Sequence, residues 1–171
     1  MAEIAIPGRV SVADAGPSGR LVLRGPEAIG RAAAQALGLE PPPLNRAAAA
    51  DEHAMLRIGP DEWLLLAPPA ASGLARRVRQ ALGDAPHALV DVGQRQVAYL
   101  VTGPRAADLL AAGCPLDLDA FSVGTATRTL LGKAEIVLWR TEEAWRLEVA
   151  RSFALYALAF LREAAREHKA G

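Results

Sequence analysis

One cysteine, Cys114, stands in 171 residues. No internal disulfide can form, and no cysteine cluster for a metal can be built. Lysine is nearly missing: Lys133 and Lys169 are the two present, and arginine supplies the other basic side chains. Neither sign of charge is in excess, with 19 basic and 19 acidic residues, so the basic surplus that marks a nucleic-acid partner is lacking. Long apolar runs are also scarce. Phe153–Leu161 is nine uncharged residues, whereas a membrane span takes about 20. The first ten residues hold Glu3, Pro7, Gly8 and Arg9 and do not read as a secretion signal. The expectation is a cytoplasmic protein with no nucleic-acid and no membrane partner. At 51% hydrophobic and 22% charged, the chain has the composition of a globular protein, either one domain or two small halves sharing a core.

What is present is an internal repeat. Leu21-Val22-Leu23-Arg24-Gly25-Pro26 is followed by a helical pattern ending at Leu37-Gly38, and Tyr99-Leu100-Val101-Thr102-Gly103-Pro104 by one ending at Ala112-Gly113. Proline suits the first helical position, and glycine after a helix takes the left-handed geometry without strain. Apolar positions recur at helical spacing: Ile29, Ala33, Ala36 and Leu37 in one, Ala106, Leu109 and Leu110 in the other. Downstream, Ala54–Ile58 and Trp63–Leu66 read as strands, as do Thr127–Leu131 and Ala134–Trp139 around a Gly132-Lys133 turn of type II′. Trp145–Val149 alternates apolar and charged, which predicts a sheet with one wet face. Each half closes with a helix. The first places Leu74, Val78, Ala81 and Leu82 on one side and stops at Gly83; the second starts after Ser152 as N-cap and runs to about Glu167. A further strand precedes each half, at Val10–Val12 and Leu89–Val92. Pro41–Pro43 and Ala47–Ala50 read as a flexible loop. The pattern predicts an α+β class with mainly antiparallel sheets, as one domain of two repeats, residues 8–83 and 87–167.

Phosphate-cradling glycine motifs, nucleophile elbows and zinc-protease motifs do not occur. His53, His87 and His168 lack ligand spacing and read as loop or surface residues. Cys114, between Gly113 and Pro115, reads as a small, partly buried filler after a helix end. Trp63 and Trp145 hold matching places in the repeat and read as paired core aromatics rather than a ligand platform. In Asp91-Val92-Gly93-Gln94-Arg95, the charges fit an ion pair that fixes a turn better than a pocket at a strand end, so Asp91 and Arg95 are weak pocket candidates. No catalytic, metal or cofactor-binding residue is expected. Phe153, Leu155, Tyr156, Leu158, Phe160 and Leu161 point in nearly every direction of one helix. That helix is buried between the two halves, or part of it meets another chain.

The segments Ile58–Leu66, Leu89–Gln96, Val101–Leu110, Gly113–Leu118, Thr127–Leu131, Ala134–Arg140 and Trp145–Phe153 lie in order and cover most of the chain from about Ala54 on. Together they resemble the gamma subunit of heterotetrameric sarcosine oxidase, a relative of the folate-binding domains of glycine-cleavage aminomethyltransferases. The resemblance implies a duplicated folate-binding-domain-like fold in which two units exchange their first strands. It implies a non-catalytic structural subunit of a complex that oxidises sarcosine to glycine and passes the one-carbon unit to tetrahydrofolate. Alpha, beta and delta subunits would be the partners, mainly the folate-binding half of alpha. FAD, FMN, NAD, tetrahydrofolate and zinc would sit on those subunits and none on this chain. The wider relatives often carry Asp-x-Ser-His-Arg. Here Asp91-Val92-Gly93-Gln94-Arg95 lacks the serine and histidine, so independent folate chemistry is not expected. The alternative is a free-standing folate or small-molecule binding protein of the same fold.

Overall fold

A computed structural model describes residues 2–6, 9–69 and 73–167. In chain order they form β1 (Ala2–Ile6), β2 (Val10–Asp14), β3 (Gly19–Arg24), α1 (Glu27–Ala36), β4 (Ala47–Ala50), β5 (His53–Gly59), β6 (Glu62–Ala67) and α2 (Leu74–Leu82). Then come β7 (Ala88–Asp91), β8 (Gln96–Thr102), α3 (Ala106–Ala111), β9 (Ala126–Leu131), β10 (Ala134–Arg140), β11 (Trp145–Ala150) and α4 (Ala154–Glu167). No helix among the described residues is long and apolar enough to cross a membrane.

The chain divides into two compact units. One holds the residues up to Gly16 together with those from Arg95 on; the other is Pro17–Gln94. Each is built on one antiparallel sheet, in the orders β1-β2-β8-β11-β10-β9 and β4-β5-β6-β3-β7. Taken from the leading strand outwards, β2-β8-β11-β10-β9 repeats β7-β3-β6-β5-β4. The leading strands are exchanged: β2 precedes the first repeat yet pairs with β8, and β7 precedes the second yet pairs with β3. Two of the helices complete each unit. In the Pro17–Gln94 unit, Leu21, Leu23, Trp63 and Leu65 from the sheet meet Ile29, Ala33, Val78 and Leu82 from α1 and α2. In the other, Val12, Val101, Ile136, Leu138 and Leu147 meet Leu109, Leu110, Ala157 and Leu161 from α3 and α4.

Several local expectations need correction. Pro26 is the N-cap of α1, with φ −59° and ψ 161°, not its first helical residue. Pro104 lies one residue further out, because the Arg105 N–H donates to the Arg9 carbonyl (3.1 Å) and α3 starts only at Ala106. The two helix-ending glycines serve different ends. Gly38 has φ +71°, with Gly38 N–H donating to Gln35 O and Leu39 N–H to Ala34 O, the Schellman arrangement. Gly113 is not left-handed; the Phe160 ring lies where its Cβ would be. Ser152 sits inside a 3-10 turn, Arg151–Phe153, ahead of α4 and does not cap it.

Ala47–Ala50 is a strand, not a loop. Its pairing with β5 (Ala47↔Leu56 to Ala50↔His53) and the exchange of hydrogen bonds between Asn45, Arg46 and Arg57 impose the extended form on residues with little preference of their own. β1, which the sequence pattern did not mark, adds an edge to β2 and buries Ile4 and Ile6. The Gly132-Lys133 turn is as expected: Leu131 faces Ala134, Gly132 has φ +58° and Lys133 stays negative. The polar face of β11 is not wet. Glu148 is 2% exposed and accepts from Arg146 Nε at 2.8 Å, a charge-assisted hydrogen bond to a buried carboxylate.

Candidate functional site

Asp91 and Arg95 fall in different compact units. Asp91 ends β7, is exposed, and uses Oδ1 to accept the Gly93 N–H at 2.8 Å. The carboxylate therefore fixes the turn through the backbone, where the sequence pattern suggested an ion pair. Arg95 is exposed, and its carbonyl accepts the Arg151 N–H at 2.8 Å. His53 takes a hydrogen bond from Arg77 through Nε2 (2.9 Å), and His87 Nδ1 lies 2.7 Å from the Ala85 carbonyl. His168 is outside the described residues. No group of three potential metal-ligating side chains occurs among the described residues. Cys114 is a buried free thiol in the core around α3, with Sγ 3.7 Å from Thr129 Oγ1.

Trp63 and Trp145 are both core residues, 1% and 4% exposed. A feature of the repeat missed in the sequence accompanies them. Arg57 on β5 is the cross-strand partner of Trp63, and Arg140 on β10 is that of Trp145. Neighbours across an antiparallel pair share a face. Each guanidinium therefore lies over its indole, at 5.5 Å and 5.0 Å from the ring centroid, within cation–π range. The signal was an arginine five or six residues before each tryptophan, legible only once the hairpin register is known.

The two stacks differ in their surroundings. In the unit that includes β11, the Phe121 ring packs against Trp145 with centroids 5.5 Å apart. In the Pro17–Gln94 unit, Trp63 borders a cleft of about 270 Å³ lined also by Glu27, Gly30, Arg31, Arg57 and Pro41–Pro43. Glu27 lies in the first turn of α1, where a carboxylate is favoured by the helix dipole. It pairs with Arg31 at 3.2 Å and stands 3.9 Å from Arg57. Arg57 donates to the Pro60 carbonyl at 2.9 Å. Two arginines against one glutamate leave a small positive excess beside an aromatic edge, suited to holding a carboxylate and offering no nucleophile. On the rim of the same unit, Arg24 donates twice to Asp61 (3.0 and 3.3 Å). That hydrogen bond first, and the charge of Asp61 second, raise the pKa of its guanidinium.

Residues 24–167 match the family described as sarcosine oxidase, gamma subunit. The gamma subunit of sarcosine oxidase from Arthrobacter sp. is 39% identical over 117 residues, 67% of this chain and 57% of that protein. The chain thus spans little more than half of that relative. The solved heterotetrameric sarcosine oxidase from Corynebacterium sp. U-96, in complex with pyrrole 2-carboxylate, contains a chain that superposes with a TM-score of 0.87. Identity is 31%, and the match covers 96% of this chain and 88% of that one. An aminomethyltransferase of the glycine cleavage system from Bartonella henselae shares the fold at a TM-score of 0.69 with 13% identity, over 90% of this chain and 45% of that one.

Proposed function

Since this chain belongs to the sarcosine oxidase, gamma subunit family, we propose that it is a non-catalytic structural subunit of a heterotetrameric sarcosine oxidase. The observation that carries the reading is the likeness, over nearly the whole chain, to a chain of the Corynebacterium complex. The complex would demethylate sarcosine oxidatively to glycine and hand the one-carbon unit to tetrahydrofolate. Alpha, beta and delta subunits are the proposed partners, with this chain seated mainly on the folate-binding half of alpha, in the cytoplasm. FAD, FMN, NAD, tetrahydrofolate and zinc belong, in this reading, to those subunits.

The side chains that could carry chemistry support a structural role. Asp91 holds a turn, Cys114 fills a core, and Trp63 and Trp145 are packed under arginines. The alternative, a free-standing folate binder, requires Asp91 to line a pocket, and its carboxylate is engaged by Gly93. The test is co-expression of a tagged copy with the three other subunits. Stoichiometric recovery of a complex that makes peroxide from sarcosine, with the isolated chain colourless and inactive, is the expected result. A chain that purifies alone from cells making all four subunits refutes the proposal.

A further inference from the structure

This inference rests on the subunit reading and concerns how the subunit is held. α4 carries an apolar sequence around most of its circumference, and the structure divides that circumference in two. Ala157, Leu161, Ala164 and Ala165 are buried in the core of their own unit. Two aromatic side chains are also engaged within the chain. The Phe160 ring lies against Gly113 and Gly132, and the Tyr156 hydroxyl accepts the Lys133 N–H at 3.0 Å. Phe153 and Leu155 are different: they are 44% and 82% exposed. The Phe153 ring meets Tyr156 edge-on at 6.4 Å, and Tyr156 meets Phe160 at 6.3 Å. The exposed apolar surface is therefore continuous with rings anchored in the fold.

Charge borders this surface on one sign. Leu155, Ala159 and Arg162 follow one another on α4 at spacings of four and three, which aligns them along one stripe of the helix. All three are exposed, and so is Lys133 beside Tyr156. Glu163, the nearest carboxylate on the helix, is paired with Arg166 at 2.8 Å. We infer that the Phe153–Leu155 face of α4 is where another protein subunit of the complex seats, through an apolar groove bordered by carboxylates. An apolar centre within an arginine-bearing rim is the composition of a protein interface. Opposite charge across the rim fixes partner and register. A second copy of this chain is disfavoured as the occupant, because a two-fold contact through Leu155 would bring two rims of the same sign, each with an exposed Arg162 and Lys133, together.

The experiment uses all four subunits, co-expressed. Leu155→Asp places a charge at the centre of the face without touching the core. The free chain should melt within about 2 °C of wild type, as surface changes do. Its recovery with the complex should fall at least about ten-fold. As a milder probe, Leu155→Cys labelled with a maleimide should react freely in the isolated chain, where Cys114 is buried, and at least about ten-fold more slowly in the complex. Loss of Leu155→Asp together with protection of Leu155→Cys supports the inference. Retention of Leu155→Asp, or equal labelling in the complex, overturns it and leaves the subunit reading standing. If Leu155→Asp proves unfolded, the labelling result alone decides. Wild-type chain that never enters a complex overturns both. A homodimer that Leu155→Asp dissolves assigns the face to a second copy and overturns the inference.

Discussion

Gly30 and Trp63 make a sharp test of how the Pro17–Gln94 unit is packed. Gly30 is in the middle of α1, where alanine normally stabilises by about 1 kcal/mol. A Cβ there would run into Cζ2 of the Trp63 indole and lie 2.6 Å from Cε2 and 2.9 Å from Cη2. Carbon atoms rest at about 3.5–4.0 Å, so the ring would have to move by roughly an ångström. Trp63 is 1% exposed and lies under Arg57, so movement is resisted. Overpacking of this kind costs about 1–3 kcal/mol. Gly30→Ala is therefore expected to lower stability, by up to about 2 kcal/mol once the helix gain is counted, or several degrees of Tm at about 2–4 °C per kcal/mol.

The sign should reverse when the obstacle is removed. Trp63→Phe lacks the outer indole atoms that crowd Gly30, so Gly30→Ala in that background should become neutral or stabilising by up to about 1 kcal/mol. The coupling between the two changes is then about 1–3 kcal/mol, at the upper end for residues in contact. Urea unfolding followed by far-ultraviolet circular dichroism measures all four proteins without relying on tryptophan emission. A Gly30→Ala chain more stable than wild type, or the same shift in both backgrounds, would refute the packing argument.

Arg146→Met removes the charge-assisted 2.8 Å hydrogen bond to the buried Glu148 and should cost about 1.5–3 kcal/mol in the same unfolding assay. Gly113→Ala forces a methyl into the Phe160 ring and should lower Tm, whereas Gly38→Ala strains a left-handed residue in open space and should cost only about 1 kcal/mol. Asp91→Ala removes the hydrogen bond to Gly93 and should lower stability by about 1 kcal/mol. Titration of the chain with a reduced folate should show no binding for Asp91→Ala to abolish; micromolar binding lost in that variant would favour the free-standing binding protein.

The repeat was legible because its marks are local. Strand alternation, Gly-Pro before a helix and glycine after it are each enforced within a few residues of chain. So were the tryptophan positions and the filler role of Cys114. What was not legible depended on partners distant in sequence. Ala47–Ala50 is extended only because β5 lies beside it. Glu148 looked like a solvent-facing residue because alternation reports the period of a strand and not what covers its second face. Gly113 resembled Gly38 in sequence, yet one answers to backbone conformation and the other to a ring forty-seven residues later. The arginine–tryptophan stacks and the cleft between α1 and Pro41–Pro43 needed strand register before they could be seen. Apolar spacing in α4 showed that more than one face wanted cover, but not which.

The exchange of leading strands carries a consequence for where the chain can be divided. By sequence the first repeat runs from about residue 8 to 83, which includes β2 and stops before β7. By contacts the unit is Pro17–Gln94, which leaves out β2 and includes β7. The two segments are nearly equal in length and differ in which leading strand they hold. In Pro17–Gln94, β3 is flanked by β6 and β7, with Leu23↔Leu89 and Val22↔Val90 in register. In the segment 8–83, β3 loses β7 and becomes an edge whose backbone donors and acceptors are unpaired, while β2 has no β8 to join. Such an edge invites association with other chains. The segment 17–94 is therefore expected to show slower amide exchange along Leu21–Arg24 and less aggregation than 8–83. Equal protection of β3 in the two segments would mean that β7 contributes little to the sheet, and that the exchange is a feature of chain path rather than of stability.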